Sequence, residues 1–347
     1  IMKRFKKIIK KNPTDNTADQ SEKRITNDNL AQHREEIIGA GRKFKYPLAV
    51  TKNRLVAISL MVAIVAVIVL FTTVTVLLYK TQSTAPYLQK VTRVVPFPIA
   101  RIGSDFVSYE DYLFEVNHYA YYYKNQQKLD FNSESGKEQI KEYKKRAFDK
   151  IINDAYVKQI AEQNNITVSD KEVDQTLSIL KSQNRLGASD EEFQTTLREY
   201  WDWSVNDFKR SLRLQILNQK VLEHLDKDTR AKADDAYSKL QSGTPFDQLA
   251  TQVSEDSVTK SQGGLIGLVD KSNKDISPFT VDAIYKLQPA QYSKPINIGY
   301  GLEIVRNNEK SGDKIKASHI VFNFKAMSDF LNPIKEQNKA RLYISNK

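Results

Sequence analysis

The hydrophobic rhythm of the chain changes three times. From Leu55 to Tyr79 run 25 residues without a charge, mostly Val, Ile, Leu, Ala and Met, between Arg54 and Lys80. As a helix this run is roughly 37 Å long at about 1.5 Å per residue, more than the roughly 30 Å hydrocarbon core of a bilayer. It is predicted to be a membrane-spanning helix at 55–79. A cleaved signal has an apolar region of roughly 7 to 15 residues ending in small residues, whereas this run continues into Tyr79, Lys80 and Thr81.

After a polar linker at 80–98 the pattern becomes helical. Ser108, Ser169, Ser189 and Ser204 are each followed three residues later by Asp111, Glu172, Glu192 and Asp207. That spacing lets a side chain satisfy the free N–H groups of a first helical turn, so four helix starts are predicted. A further helix carries Ile140, Tyr143, Phe148, Ile151, Ile152, Tyr156 and Ile160 at helical spacing, and the last carries Phe208, Leu212, Ile216, Val221 and Leu225 as one stripe. Residues 99–228 are therefore expected to form an all-helical domain.

Beyond Asp226 the pattern is mixed. A helix near 231–240 stops at Gly243, Pro245 opens a short one, and a polar loop follows at 254–262. Strand-like runs then occur at 265–269, 295–298, 302–305 and 317–322, with a helix near 278–287, as expected of a small α+β domain at 229–347.

Composition sharpens this division. The net charge is +11, but residues 1–54 hold 14 Lys and Arg against 6 Asp and Glu, while 81–347 hold 38 against 36. The basic excess belongs to the tail, so the folded part has no electrostatic footprint for nucleic acid. The tail at 1–54 cannot bury enough apolar surface to fold alone and is expected to be disordered, lying against anionic lipid headgroups. Before the apolar run stand Arg42, Lys43, Lys45, Lys52 and Arg54, against Lys80, Lys90 and Arg93 after it. This asymmetry places the N-terminus in the cytoplasm and the C-terminal domains outside. Without cysteine, disulfides, thiol catalysis and thiolate metal sites are excluded.

The strings "PIARIGSDFVSYEDYLFEV" (98–116), "RAFDKIINDAYVKQIAEQNNITVSDKEV" (146–173) and "SVNDFKRSLRLQILNQKV" (204–221) resemble the N-terminal chaperone domain of SurA- and PrsA-type extracytoplasmic foldases. In that family the equivalents form a short β turn, a core helix pair and a long helix leading into an isomerase domain. Residues 229–307, with "AKADDAYSKLQSGTPFDQLATQVSEDS", "GGLIGLV" and "YSKPINIGYGLEIVRN", resemble a parvulin-type peptidyl-prolyl isomerase. Gly263, Gly264 and Gly267 then fall on the strand after the active-site loop, and no Lys-Ser or Lys-Thr pair follows them to suggest phosphate binding.

Rotation about an X-Pro bond crosses a barrier of about 18–20 kcal/mol set by amide resonance. Catalysis needs an apolar socket for the ring and polar groups matched to a twisted amide. The resemblance places the socket at Ile266 and Phe279 and the loop carboxylate at Asp256, eight residues before Gly264. The family also uses two histidines on adjacent central strands. Glu303 stands where one is expected, Leu265 replaces the acidic residue after the glycine pair, and the strand that should precede residue 229 is missing. Its sequence, "KASHIVF", occurs instead at 316–322. A polar hairpin loop around Ser311, Gly312 and Asp313 allows residues 315–323 to fold back as a permuted central strand, setting Glu303 opposite His319. The alternative is a second, truncated isomerase repeat beginning at 315.

The resemblance implies a membrane-tethered chaperone or foldase for unfolded or proline-containing exported polypeptides, with weak or lost isomerase activity. Asp256, His319 and Glu303 are its candidate catalytic residues, and Tyr119, Tyr121, Tyr122 and Tyr123 offer an aromatic client surface. No cofactor or metal is implied. An active isomerase and a non-catalytic envelope scaffold are the competing readings.

Overall fold

The computed structural model describes residues 26–45, 48–187 and 189–344. The chain divides into two compact units, 1–73 and 74–347. The first contains α1 (Asn27–Lys45) and most of α2 (Leu48–Thr75). The disordered tail expected over 1–54 is corrected at 27–45 and at 48–54, which are helical. Asp28 in the first turn complements the helix dipole there, and Ala31, Gln32, Arg34, Glu35 and Glu36 are good helix formers. Residues 1–25, 46 and 47, also assigned to that tail, lie outside the described residues. The segment Arg54–Lys80 is the one helix among the described residues long and apolar enough to cross a membrane, and its side chains are exposed from Arg54 to Thr73.

In the second unit the apolar run ends inside protein. Val74 and Leu78 are buried in the main core, Val76–Lys80 widens into a π turn, and the Tyr79 hydroxyl donates to the Pro98 carbonyl at 2.7 Å. The expected linker at 80–98 is corrected too. With Pro86 in the first turn, Pro86–Val94 forms the helix α3, whose Leu88 and Thr92 are buried.

Helices dominate residues 99–228, though not alone. A hairpin of β1 (Pro98–Ile102) and β2 (Asp105–Ser108) turns at Gly103, whose φ of +59° suits a two-residue hairpin loop. Then follow α4 (Tyr109–Asn125), α5 (Glu134–Gln163), α6 (Asp170–Ser182), α7 (Asp190–Trp201) and α8 (Val205–Leu225). The four serines anticipated as caps act as such, with capping boxes at Ser169/Glu172 and Ser204/Asp207. The main core joins β1, α4 and α5 through Ile99, Tyr109, Leu113, Phe148 and Val157, while α6, α7 and α8 share a second core through Leu177, Phe193 and Leu212.

The remainder contains α9 (Lys227–Gln241), α10 (Phe246–Val253), β3 (Leu265–Val269), α11 (Pro278–Lys286), β4 (Ile296–Asn297), β5 (Gly301–Ser311) and β6 (Lys314–Asn323). Its sheet has the order β3-β6-β5-β4, with neighbours antiparallel. Residue alternation divides it cleanly. Leu302, Ile304, Ile320 and Phe322 face α9 and α10, whereas Val305, Ile315 and Ala317 face α11.

The last elements return to the helical part. In α12 (Met327–Gln337) Leu331 joins the main core, Ile344 follows it, and β7 (Arg341–Leu342) pairs with β1 to give a sheet of order β2-β1-β7. The Tyr156 hydroxyl donates to the Asn338 carbonyl at 2.6 Å. Assignment of 327–344 to the α+β domain is thus corrected, because Met327, Leu331, Ile334 and Ile344 find their partners in the other core, whereas Phe324 packs in the α+β core as expected. The all-helical description of 99–228 gives way likewise to helices around a three-stranded sheet.

Candidate functional site

Position 319 lies on β6 between β3 and β5, so His319 projects from the centre of the sheet toward α11. The hairpin turn falls at Gly312 and Asp313, with Ser311 opposite Lys314, and a bulge between Asn307 and Glu309 shifts the register once more. Glu303 is therefore opposite Val321, and His319 opposite Val305. The sequence expectation of Glu303 directly across from His319 is corrected by two residues, because a fold symmetric about Ser311 anticipates neither the turn position nor the bulge. A shift of two keeps both side chains on one face. Glu303 Oε1 reaches His319 Nδ1 diagonally at 2.6 Å.

Asp256 arrives from the loop after α10. Past the end of β3 this loop runs beside β6, where the Glu255 N–H donates to the Val321 carbonyl at 2.8 Å and the Val321 N–H donates to the Ser254 hydroxyl at 3.2 Å. Asp256 Oδ2 consequently lies 3.0 Å from His319 Nε2, and Thr259 Oγ1 lies 2.9 Å from the same nitrogen while donating to Asp256. On the other side Thr280, in the first turn of α11, donates its hydroxyl to Glu303 Oε2. Gly264 makes the close approach possible. Its carbonyl accepts from the His319 N–H at 2.8 Å, its φ is +75°, and a Cβ there would meet the His319 carbonyl oxygen at 2.0 Å.

Glu303 and His319 are buried, with 1% and 8% exposure. Burial alone would push the His319 pKa down, but the Glu303 and Asp256 carboxylates together outweigh it and raise it. Burial would raise the Asp256 pKa, yet hydrogen bonds from Thr259, the Val258 N–H and His319 hold it below the usual carboxylate value. The arrangement favours an imidazolium donating one N–H to each carboxylate. Tyr300, just before β5 and 58% exposed, accepts the Phe324 N–H at its carbonyl at 3.0 Å, and partial burial of its hydroxyl together with the Glu303 and Asp256 carboxylates raises its pKa.

The three polar residues anticipated from sequence thus meet. Ile266 packs with Val281, Ile284 and Val305 on the face from which His319 projects, and Phe279 is half-buried beside Thr280 at the start of α11. Sequence reasoning missed Thr259, Thr280 and Tyr300. Thr259 had a signal in the Asp-x-x-Thr spacing of a side-chain-capped turn; Thr280 had none. Among the described residues, no group of three or more His, Cys, Asp or Glu side chains is placed to hold a metal ion.

The tyrosines of α4 have mixed roles. Tyr119 and Tyr123 stack on Tyr143, and Tyr122 packs against Tyr123 and Tyr200. Tyr121 lines a cleft of about 560 Å³ with Phe114, Phe131, Trp201 and Trp203, rimmed by Lys90, Arg93 and Lys124.

Residues 49–222 match the SurA-like N-terminal domain family, and residues 215–309 match the PPIC-type PPIase domain. The second match stops before β6. Similar curated proteins include foldase protein PrsA of Clostridium botulinum, 22% identical over 61% of this chain and 72% of that protein. Foldase protein PrsA 2 of Bacillus cereus is 26% identical over 49% of this chain and 68% of that protein. A crystal structure of foldase protein PrsA from Streptococcus pneumoniae aligns at 19% identity over 59% of this chain and 79% of that chain, with a TM-score of 0.21.

Proposed function

The chain belongs to the SurA-like N-terminal domain family and carries a PPIC-type isomerase domain; we propose that it is a membrane-tethered extracytoplasmic foldase that holds unfolded exported polypeptides and isomerises prolyl bonds slowly or not at all. The exposed apolar stretch from Leu55 to Thr73 is about 28 Å long as a helix, close to the hydrocarbon thickness of a bilayer. Basic residues concentrated before it support an N-terminus in the cytoplasm, folded domains outside, and lipid contact through the helix and the tail. Protease added to spheroplasts is then expected to remove the folded domains and spare the tail; their protection would reverse the topology.

In this reading the chaperone domain comprises the helices before Asp226 together with α12 and β7, and its aromatic cleft receives client segments. The isomerase-like domain runs from about 229 to 323, with β6 in place of the family's first strand. Ile266 and Phe279 flank the face on which a proline ring would rest.

Slow turnover rests on one observation, the clamping of both His319 nitrogens by Glu303 and Asp256. An imidazolium so held has no lone pair and no free N–H for a twisting amide. With the full chain in lipid nanodiscs, we expect suppression of client aggregation at near-equal molar ratio and slow isomerisation of a proline tetrapeptide. Failure to suppress aggregation would refute the holding role. The meeting of His319 with Asp256 and Thr259 of a partly exposed loop favours a second reading, an active isomerase. A rate comparable with ordinary parvulins, lost in Asp256→Ala, would select it.

A further inference from the structure

A second cleft, of about 550 Å³, lies in the helical domain between the β1–β2 hairpin, α4, α5 and α8, adjoining the aromatic cleft at Phe114, which lines both, and sharing no lining residue with the isomerase-like site. All four residues of β2 line it, and β2 is an edge strand of the β2-β1-β7 sheet. Ile102 and Asp105 flank the two-residue turn as opposite partners. Such a pair exchanges both ladder bonds, so the next residue, Phe106, directs its N–H and C=O away from β1 toward the free edge. Its ring is 64% exposed, resting near Arg101, whereas Val107 is buried. Exposed edges of this kind template pairing with another extended chain.

We propose that this edge and the cleft beside it take an extended, uncharged, apolar polypeptide segment as an added strand. The wall chemistry selects that occupant. The floor includes Ile102, Ile151, Leu214 and Leu217. The charges over the floor are already paired, Lys150 with Glu115 and Asp154 at 3.1 Å each, Lys158 with Asp111 at 3.3 Å, and Arg210 with Glu110 and Asp111; Arg213 pairs with Asp170, Asp105 accepts from Ser104 and Gln159, and exposed Glu162 stands at the rim. Glu115 and Asp154 are nearly inaccessible, at 5% and 6% exposure. A charge brought over the floor would have to break one of these pairs and leave a desolvated Glu115 or Asp154 behind, at high cost. A neutral segment leaves them intact, gains main-chain hydrogen bonds from Phe106, and places alternate side chains on the apolar floor. Affinity then follows the backbone more than the sequence, as suits a holdase. The proposal rests on the client-holding reading and assigns a substrate class to it.

The test uses the full chain in nanodiscs and a labelled, uncharged peptide of alternating Val and Thr, alongside the same peptide N-methylated at alternate residues. Phe106→Pro removes the outward N–H without touching a bond to β1, and is expected to weaken binding about tenfold, the scale of one lost ladder bond with its local fit. Phe106→Ala keeps the N–H and should lose only about threefold through side-chain contact. The N-methylated peptide should fail to bind the unaltered chain, a result that does not depend on any variant folding. Equal binding of the two peptides, equal binding by Phe106→Pro when its melting is unchanged, or no binding at all would overturn the proposal. If Phe106→Pro instead changes sedimentation while peptide affinity holds, the edge pairs with a second copy and the proposal also falls. Aggregation suppression measured in parallel separates the two readings: its persistence alongside equal peptide binding leaves the holding role standing, and its absence removes both.

Discussion

Glu303 Oε1 stands 2.6 Å from His319 Nδ1 although the two residues are not cross-strand partners, since Glu303 pairs with Val321 and His319 with Val305. The contact is diagonal. It depends on the bulge between Asn307 and Glu309 and on a turn placed at Gly312 and Asp313, and it closes a path of hydrogen bonds from Thr280 through Glu303 and His319 to Asp256.

Replacing that carboxylate tests the electrostatics. His319 is raised above the roughly 6.5 of an unfolded chain. Its contribution to stability is therefore fully present below about pH 6.5 and is lost as pH rises through the folded value. In Glu303→Gln the imidazole resonances should titrate at lower pH than in the unaltered protein. Denaturant melts near pH 5.5 should show a loss of about 2–4 kcal/mol that narrows at higher pH. An unchanged titration would mean that Glu303 does not hold the proton.

Gly264 and Gly267 both have positive φ, at +75° and +96°, but only Gly264 faces a backbone, with the His319 carbonyl oxygen 2.0 Å from an added Cβ. Gly267→Ala should cost about 1–2 kcal/mol for its backbone conformation alone. Gly264→Ala must also push β3 from β6, and is expected to cost about 4 kcal/mol or more. Thermal melts of the two variants side by side give the comparison, and similar losses would contradict the close packing at Gly264.

Much of this was legible in the sequence because local signals carry it. The serine caps, the Gly243–Pro245 break and the apolar run at 55–79 each act within a few residues. So did the content of the site, since Asp256, Glu303 and His319 were identifiable by type and by their place in recognisable strings. What escaped depends on distant partners. The 80–98 segment reads as polar until Leu88 meets the main core, and the return of α12 and β7 to the first domain is set by surfaces over 180 residues away, as in the Tyr156–Asn338 bond. The register of β5 and β6 differs by two because the turn sits at Gly312 and Asp313 rather than around Ser311 and a bulge takes back one residue of that shift, and neither leaves a mark in a pattern of alternating residues.

That return has a measurable consequence. Leu331 on α12 is 1% exposed and packs in the main core with residues of β1, α4 and α5. Leu331→Ala should destabilise by about 2–5 kcal/mol, and hydrogen exchange should place the loosening in α4 and α5 more than in β5 and β6. Loosening confined to the second sheet would mean that the C-terminal segment belongs there.

The most direct test of slow turnover puts an imidazole where the resemblance expects one. Positions 303 and 319 lie on adjacent central strands and share a face, so Glu303→His creates a histidine pair without altering the sheet. A neutral imidazole at 303 can take the Thr280 hydroxyl bond through one nitrogen and face His319 with the other. Losing the buried carboxylate also removes the charge that fixes His319 as an imidazolium, so its pKa should drop and a neutral form become available near pH 7. Electrostatic groups aimed at a reacting amide change rates by about two to three orders of magnitude when removed; a partial restoration should raise turnover on a proline tetrapeptide by about tenfold or more. Asp256→Ala in the unaltered background should change the slow rate by less than about threefold, because Thr259 Oγ1, 2.9 Å from His319 Nε2, can still accept from it and Glu303 still holds Nδ1. A Glu303→His variant that folds, shows the lowered His319 titration and still gives no gain would place the obstacle elsewhere, in the socket formed by Ile266 and Phe279.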